Sequence, residues 1–477
     1  MAEPEQTLRN VQENNEDSSE KGREDAGPPQ PVGFWDPRLK KVRHTAFKKW
    51  TLTTVVLTAF ILSVLSMYWG VFFHAEQNLS SFVVYIVDFD SQAPYDTAPI
   101  PPLVGPIISQ LSNQMVSSGR PTLGFLSVPP SNFSNDPIQV RQAIYNWDAW
   151  VAVIVNPNAT AMLYSAITTG NTSYDPLGAC QLIYQTGRDD TTYHSFILPI
   201  MNMLMREATS MVGQMWAGMV LQNATDPAIL AGMQAAPQAI SPAVGFSEFN
   251  LRPLYPYTSI AATTIGLIYL IIISFFSFSF YLPIHMQYLK PEGHPPLKFW
   301  QLIIWRWFAT MTAYFFLSLA YSLISLAFQI NFSSGYQVPE TAVSGRVNPT
   351  AYGDGTFLVY WMINYFGMIA LGLACENVAM VIGQPWLGLW LIFWVITNVS
   401  TAFYSIDIEP AFYRWGYAWP LHNVVEASRQ VLFDLHSRIG LNFGILVAWG
   451  AVNTALFPAA CMFMRWKSKK GLHEYWT

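Results

Sequence analysis

The sequence predicts a multi-pass α-helical membrane protein: six transmembrane helices in a 1 + 5 arrangement, with an extracellular α/β domain inserted after the first. Three observations predict it. Six apolar runs, Thr51–Phe73, Ser259–Leu282, Trp300–Phe328, Phe357–Ile382, Trp386–Tyr404 and Phe443–Met464, each approach or exceed the ~20 residues that cross ~30 Å of hydrocarbon. With the amino end in the cytoplasm, all ten lysines fall on the cytoplasmic side or at its boundary, as the enrichment of cations on inner loops requires. The long interval between the first two runs carries the sequons of Asn78, Asn132, Asn158, Asn171 and Asn223, which are glycosylated only on the lumenal or external face. Sequons at Asn331 and Asn398 lie against or inside a run, and Asn348 precedes Pro349, so these three are discounted.

Composition agrees, since only 12% of the 477 residues are charged and 52% are hydrophobic, against about a quarter charged in soluble proteins. Residues 1–33 are acidic and rich in Asn, Ser, Gln and Pro, the composition of a disordered cytoplasmic tail, and account for most of the net charge of −5. Residues 34–50 form a basic juxtamembrane segment with Arg38, Lys40, Lys41, Arg43, Lys48 and Lys49, each worth about 1 kcal/mol near an anionic leaflet. They read as a topology signal, with specific phosphoinositide binding as the alternative. The first transmembrane helix, 51–73, starts too far from the amino terminus and is too long for a cleavable signal peptide.

Residues 75–258 alternate short β-like runs with helical ones, the pattern of an extracellular glycosylated α/β domain. Strands are expected at Phe82–Asp88, Thr122–Val128, Trp150–Val155 and Gln181–Gln185, and a helix at Pro137–Trp147. Ser195–Gln222 is apolar enough to suggest another crossing, but Arg206 and Glu207 near its middle are costly at bilayer depth. It is read as a long helix of the domain. Its methionines are either core filler or an adaptable apolar surface. Only Cys180 of the three cysteines falls outside, so an intramolecular disulfide there is excluded.

Residues 259–464 form the five-helix membrane unit, followed by a basic cytoplasmic tail, 465–477. Pro283–Phe299 reads as an inner loop with a short interfacial element, and Gly383-Gln384-Pro385 as a tight inner turn. Within Ser405–Leu441, residues near 421–435 place Leu421, Val424, Val425, Ser428, Leu432 and Leu435 on one helical stripe, predicting an amphipathic helix on or dipping into the outer leaflet. His422 and Glu426 have the spacing of a metal pair, but no third ligand is evident, and Glu426 with Arg429 reads more simply as an i,i+3 ion pair. Arg306 and Glu376 lie about six residues from the inner ends of their spans, hence at a similar ~9–10 Å depth. They are a candidate intramembrane polar pair, with independent packing roles or a direct part in transport as alternatives.

No phosphate loop, nucleophile elbow, H-E-x-x-H or dinucleotide fingerprint occurs, so the chain reads as a non-enzyme with no cofactor and no metal. The basic clusters abut spans, so no nucleic-acid partner is expected; the partner is the lipid bilayer.

Several stretches carry a resemblance. Ala149-Trp-Val-Ala-Val-Ile-Val-Asn-Pro-Asn-Ala-Thr160, Trp419-Pro-Leu-His-Asn-Val-Val-Glu-Ala-Ser-Arg429 and Asn442-Phe-Gly-Ile-Leu-Val-Ala-Trp449, with the 1 + 5 layout, resemble the fungal nitrosoguanidine-resistance membrane proteins. Those are similar in organisation to the membrane domains of type-two ABC exporters, including the bacterial phage-infection-protein group. The resemblance implies a plasma-membrane protein, both termini cytoplasmic, that contributes to resistance to toxic compounds by moving an amphiphilic drug or lipid cargo outward. It also implies a homodimer, a coupling element at Pro283–Phe299 and re-entrant helices after Pro420. The alternative is a non-transporting protein that regulates lipid asymmetry or partner proteins. No nucleotide-binding domain is fused, and a separate ATPase partner is not readable from the residues.

Overall fold

The computed structural model describes residues 31–90, 100–289, 293–330, 332, 352–383 and 386–470. Most of the expected acidic tail, Lys21, Lys290, the Gln384-Pro385 part of the inner turn and residues 471–477 lie outside the described residues. The chain divides at Ser63/Val64 into two units, each taken by itself.

In the first unit, Asp36 accepts from the Arg38 amide at 2.8 Å and Pro37 opens the turn, a capped start with proline in its favoured place. Helix α1, Lys40–Phe60, follows. It begins at Lys40 rather than Thr51, so most of the basic segment is itself helical. Lysine and arginine are good helix formers, and an apolar-run reading marks only where hydrocarbon begins.

The second unit opens with the α/β domain. Strand β1 (Val83–Asp88) leads through helix α2 (Val104–Ser117) to β2 (Gly124–Ser127), and α3 (Pro137–Tyr145) returns the chain to β3 (Val151–Val155). After α4 (Ala159–Thr169) come β4 (Cys180–Tyr184), the long α5 (Leu198–Gln222), α6 (Pro227–Ala235) and β5 (Phe246–Asn250). The sheet order is β2-β1-β3-β4-β5, parallel except between β3 and β4. Alternation along the strands separates two cores. Val84, Ile86, Val151, Val153 and Val155 pack under α2, α4 and α5, while Val87, Ala152 and Ile154 pack against α3.

Strand β5 and helices α2 and α4 were not expected. The edge strand sets adjacent Ser247 and Glu248 between Phe246 and Phe249 and is only half-buried, so its apolar signal is weak. Helix α5 buries Met201, Leu204, Ala208, Val212, Trp216 and Val220, a continuous stripe at three- and four-residue spacing, against the domain core. Met201 is core and Met203 and Met215 are exposed, so the methionines do not form a single surface.

The membrane unit starts with a broken helix. Ser259–Thr263 is separated by an irregular Thr264 from helix α7 (Ile268–Met286), which passes through Pro283 instead of ending before it. Helices α8 (Phe299–Ala327), α9 (Thr356–Ile382), α10 (Leu387–Ser400), α11 (Pro420–Phe433) and α12 (Ile439–Lys469) complete it. Helix α9 is mostly apolar and largely buried from Tyr360 to Met380, with α7, α8 and α12 packed against it, as expected for a central helix.

One helix is shorter than expected and another is placed differently. Among the described residues, five helical runs are long and apolar enough to cross a membrane: Pro37–Gly70, Ile265–Leu289, Phe299–Ala327, Gly353–Ile382 and Ile439–Lys469. The run at Trp386–Tyr404 yields only the 14-residue α10, ~21 Å long at 1.5 Å per residue. It still returns the chain to the side of the α/β domain: the Trp394 indole donates to the Leu371 carbonyl midway along α9 at 3.2 Å, and the Ser405 amide reaches Thr192 Oγ1 at 3.3 Å. Helix α11, expected on a leaflet surface, is buried on nearly every face. Its apolar side, Leu421, Val424 and Val425, belongs to the membrane-unit core, and its polar side meets the α/β domain through Arg429, the start of α12 through Asn423 and Gln430, and the end of the preceding helix through His422. Periodicity registers two chemically distinct faces and cannot tell a lipid partner from a protein one.

Candidate functional site

Helix α11 and the α/β domain are joined by charge. After β4, the Gly187 amide bonds the Arg252 carbonyl at 2.8 Å, and Asp189 caps the next turn by accepting from the Thr192 amide at 3.0 Å. This holds Arg188 and Asp189 against α11, where Arg429 Nη1 lies 3.6 Å from Asp189 Oδ2 and donates to the Arg188 carbonyl at 3.2 Å. The expected Arg429 and Glu426 pair is looser, at 3.7 Å. A second buried bridge, Arg252 to Asp434 at 3.2 Å, closes the far end of α11.

Around these residues lies a domain-side cavity of about 610 Å³, walled by the domain, the segment after α10, α11 and the start of α12. The Arg188 guanidinium sits 3.6 Å from the centre of the Trp150 ring and 4.8 Å from that of Trp147, and Arg438 lies 5.0 Å over Trp147. Asp189, Asp407 and Glu426 supply negative charge, and the Tyr417 hydroxyl donates to Asp407 at 3.1 Å. His422 Nδ1 meets the Thr401 carbonyl at 2.9 Å, and burial holds its pKa below the ordinary value. With that nitrogen engaged by the backbone, His422 and Glu426 do not act as a metal pair through it. Cations stacked on aromatic faces, carboxylates opposite and apolar walls suit a guest with a charged end and an apolar body.

Nearby, Glu409 is buried with neither carboxylate oxygen hydrogen-bonded. Burial first, and the charge of Asp189 second, push its pKa up to about 9. It is therefore protonated at neutral pH.

Deeper in the helices, the sequence-predicted pair is brought together. Arg306 Nη2 of α8 donates to Glu376 Oε1 of α9 at 2.8 Å, and the Thr310 hydroxyl donates to the other oxygen at 3.2 Å. Asn377 donates to the Asn453 carbonyl of α12 at 2.9 Å in the next layer. Beyond this pair opens a lysine-side cavity of about 850 Å³ between α7, α8 and α12. It lies toward Lys298 before α8 and Lys469 at the end of α12, the end opposite the α/β domain.

The generic ligand position of such a sheet, the crevice at the carboxyl ends of β1 and β3 where the strand order reverses, is filled by the domain itself. Thr160 Oγ1 accepts the Leu103 and Val104 amides at 2.9 and 3.3 Å and donates to Asp90, which also accepts the Thr160 amide at 3.1 Å. Asp88, raised to about 6 chiefly by burial, sits against Gly105. Carboxylates occupy the helix starts where a phosphate would bind.

Of the sequon asparagines, Asn132, Asn171 and Asn223 are exposed. Asn78 is half-buried with its amide donating to the Ile408 carbonyl at 3.0 Å, and Asn158 is half-buried in the left-handed region at φ 68°. Sequence reasoning missed the cavity residues Trp147, Trp150, Arg188, Asp189 and Arg438. The available signal was Arg188-Asp189-Asp190, three charges at a junction between a strand and an apolar helix.

A family model described as protein of unknown function (DUF3533) matches residues 53–455. The chain belongs to that family. The family match spans both the α/β domain and the membrane helices. A Saccharomyces cerevisiae protein described as an uncharacterized endoplasmic reticulum membrane protein is 27% identical over 447 residues, 91% of this chain and 83% of that protein. No solved structure matches the chain. This DUF3533 protein is a membrane protein, by its family relative and by its apolar helices.

Proposed function

We propose that the protein is exporter-like, moving an amphiphilic lipid or drug from the lysine-bearing side of its membrane toward the α/β-domain side, and that it thereby contributes to tolerance of toxic compounds. The observation that carries this reading is the domain-side cavity, walled jointly by the membrane unit and the α/β domain. A guest there has its charged end between arginines and carboxylates and its apolar body against tryptophans, the position of a cargo passing between bilayer and aqueous domain. The lysine-side cavity offers a loading place at the opposite end of the same helices, and the Arg306–Glu376 bridge lies between the two.

Under this reading the α/β domain faces the lumen or the exterior. The yeast relative is described as residing in the endoplasmic reticulum, and the resemblance noted in the sequence implies the plasma membrane; lumen and exterior are the same topological side, so direction is unchanged. In this reading energy comes from a separate ATPase, an ion gradient or the cargo gradient. A homodimer would follow the exporter plan by analogy.

Proteoliposomes with fluorescent cargo in one leaflet test the proposal. Wild type is expected to move the cargo when an ATPase or gradient is supplied, and Arg188→Ala with Arg438→Ala to slow movement about tenfold at a temperature well below its unfolding midpoint. Protein that moves neither lipid nor drug under any gradient overturns transport and leaves the regulatory reading.

A further inference from the structure

Arg306 is 1% exposed, and its guanidinium is unevenly satisfied. Nη2 donates to Glu376, and Nη1 reaches only sulfur, Met380 Sδ at 3.3 Å and Cys461 Sγ at 3.7 Å. Nε has no hydrogen-bond partner and is itself buried. Arg306 lines the lysine-side cavity, whose remaining walls are largely apolar, including Phe278, Leu282, Leu302 and Met464. At the outer part of that cavity stands exposed Arg465, its guanidinium 4.4 Å over the Phe299 ring.

We propose that this cavity binds a single-chain acidic amphiphile, a long-chain carboxylate or its lysophospholipid equivalent, with its acidic group between Arg465 and the Arg306 guanidinium, whose Nε a side-chain shift uncovers to donate to one acidic oxygen, and the chain lying along the apolar walls. Charge supports the choice. Glu376 already balances Arg306, so a guest anion needs a further cation, and Arg465 is the one the cavity supplies. A buried donor without an acceptor is unfavourable, and a guanidinium bonded to an ionised oxygen makes one of the stronger hydrogen bonds available. Size supports it as well, since about 850 Å³ falls within the ~300–1,000 Å³ of small-molecule pockets. A neutral amphiphile fills the apolar part and leaves Nε bare. Binding here does not depend on transport, so the two proposals stand or fall separately.

The test uses the full chain in nanodiscs of zwitterionic lipid, with pyrene-labelled hexadecanoic acid as probe and oleate, oleoyl lysophosphatidate and oleyl alcohol as competitors. At least one acidic competitor is expected to displace the probe at a tenfold or lower concentration than the alcohol. Oleate acting alone, or lysophosphatidate acting alone, upholds the site and identifies the headgroup. Arg306→Lys keeps a cation for Glu376 but removes Nε, and is expected to lose the preference for acid over alcohol. Leu302→Trp, which fills cavity space while keeping both partners of the ion pair, is expected to weaken probe binding tenfold or more, and remains decisive if Arg306→Lys fails to fold. Alcohol competing as well as both acids in wild type, or unchanged binding in Leu302→Trp, overturns the proposal. Acid binding without cargo movement in liposomes upholds this site and removes the transport reading; movement without acid preference does the reverse.

Discussion

Arg306 and Glu376 show how much a single pair can decide. Both are almost wholly buried, so removing one partner strands the other charge in an apolar interior, a loss of about 3–5 kcal/mol, whereas replacing both with apolar residues is often neutral. Arg306→Met is accordingly expected to lower the unfolding midpoint in detergent sharply, and Arg306→Met with Glu376→Met to recover most of the loss. The pair was legible because equal depth follows from counting residues along two helices. Arg188 and Asp189 were not, because their partners on α11 lie more than two hundred residues along the chain and no local pattern announces them. Glu409 is a second case. Its pKa is raised from 4.5 to about 9, so its stabilising contribution is complete below about pH 4.5 and is lost as pH rises toward 9. Thermal midpoints measured from pH 5 to 9 are expected to fall less in Glu409→Gln than in wild type; parallel curves would rule out a buried neutral carboxyl.

At the scale of elements, close approach governs the membrane unit. A Cβ on Gly372 of α9 would lie 2.7 Å from Ser274 Cβ of α7 and would also meet the Tyr314 hydroxyl of α8, and one on Gly367 would lie 2.8 Å from Val424 Cγ2 of α11. Small residues at such crossings let helix backbones approach within the membrane. Gly372→Val is expected to cost about 1–3 kcal/mol by overpacking, read as a lower unfolding midpoint, while a valine at Gly388, which has open space around it, is expected to be nearly neutral. The long helices and most of the sheet could be read from apolar length and alternation. Helix α10 could not be sized, because its flanking Trp386 and Thr401–Tyr404 extend the apolar run without extending the helix. Helix α11 was found at nearly its true bounds but assigned the wrong neighbour: Val424 and Arg429 differ in polarity in the same way whether the covering layer is headgroups or a protein domain.

For the whole molecule, the described lysines of the second unit gather at the end opposite the α/β domain, with Lys467 Nζ bonding the Val381 carbonyl at 3.1 Å near the end of α9. A basic end and a sequon-bearing end are the two poles of an oriented membrane protein. Glycosidase treatment of the membrane-inserted chain is expected to shift its mobility, with Asn132→Gln, Asn171→Gln and Asn223→Gln each removing one step. Asn78→Gln is expected to remove none, since that amide is held by the Ile408 carbonyl. An unshifted chain would place the α/β domain in the cytosol and reverse the proposed direction.

Passage by this route requires one amphiphile to visit cavities at both ends of the helical unit. Photo-crosslinking of a diazirine-bearing fatty acid to the protein in membranes, followed by peptide mapping, tests it most directly. Adducts are expected on residues 297–306 or 461–468 at the lysine-side end and on residues 404–426 at the domain-side end, both suppressed by unlabelled oleate. Adducts confined to the lipid-facing surfaces of α8 and α12, unaffected by competitor, would rule out occupancy of both cavities.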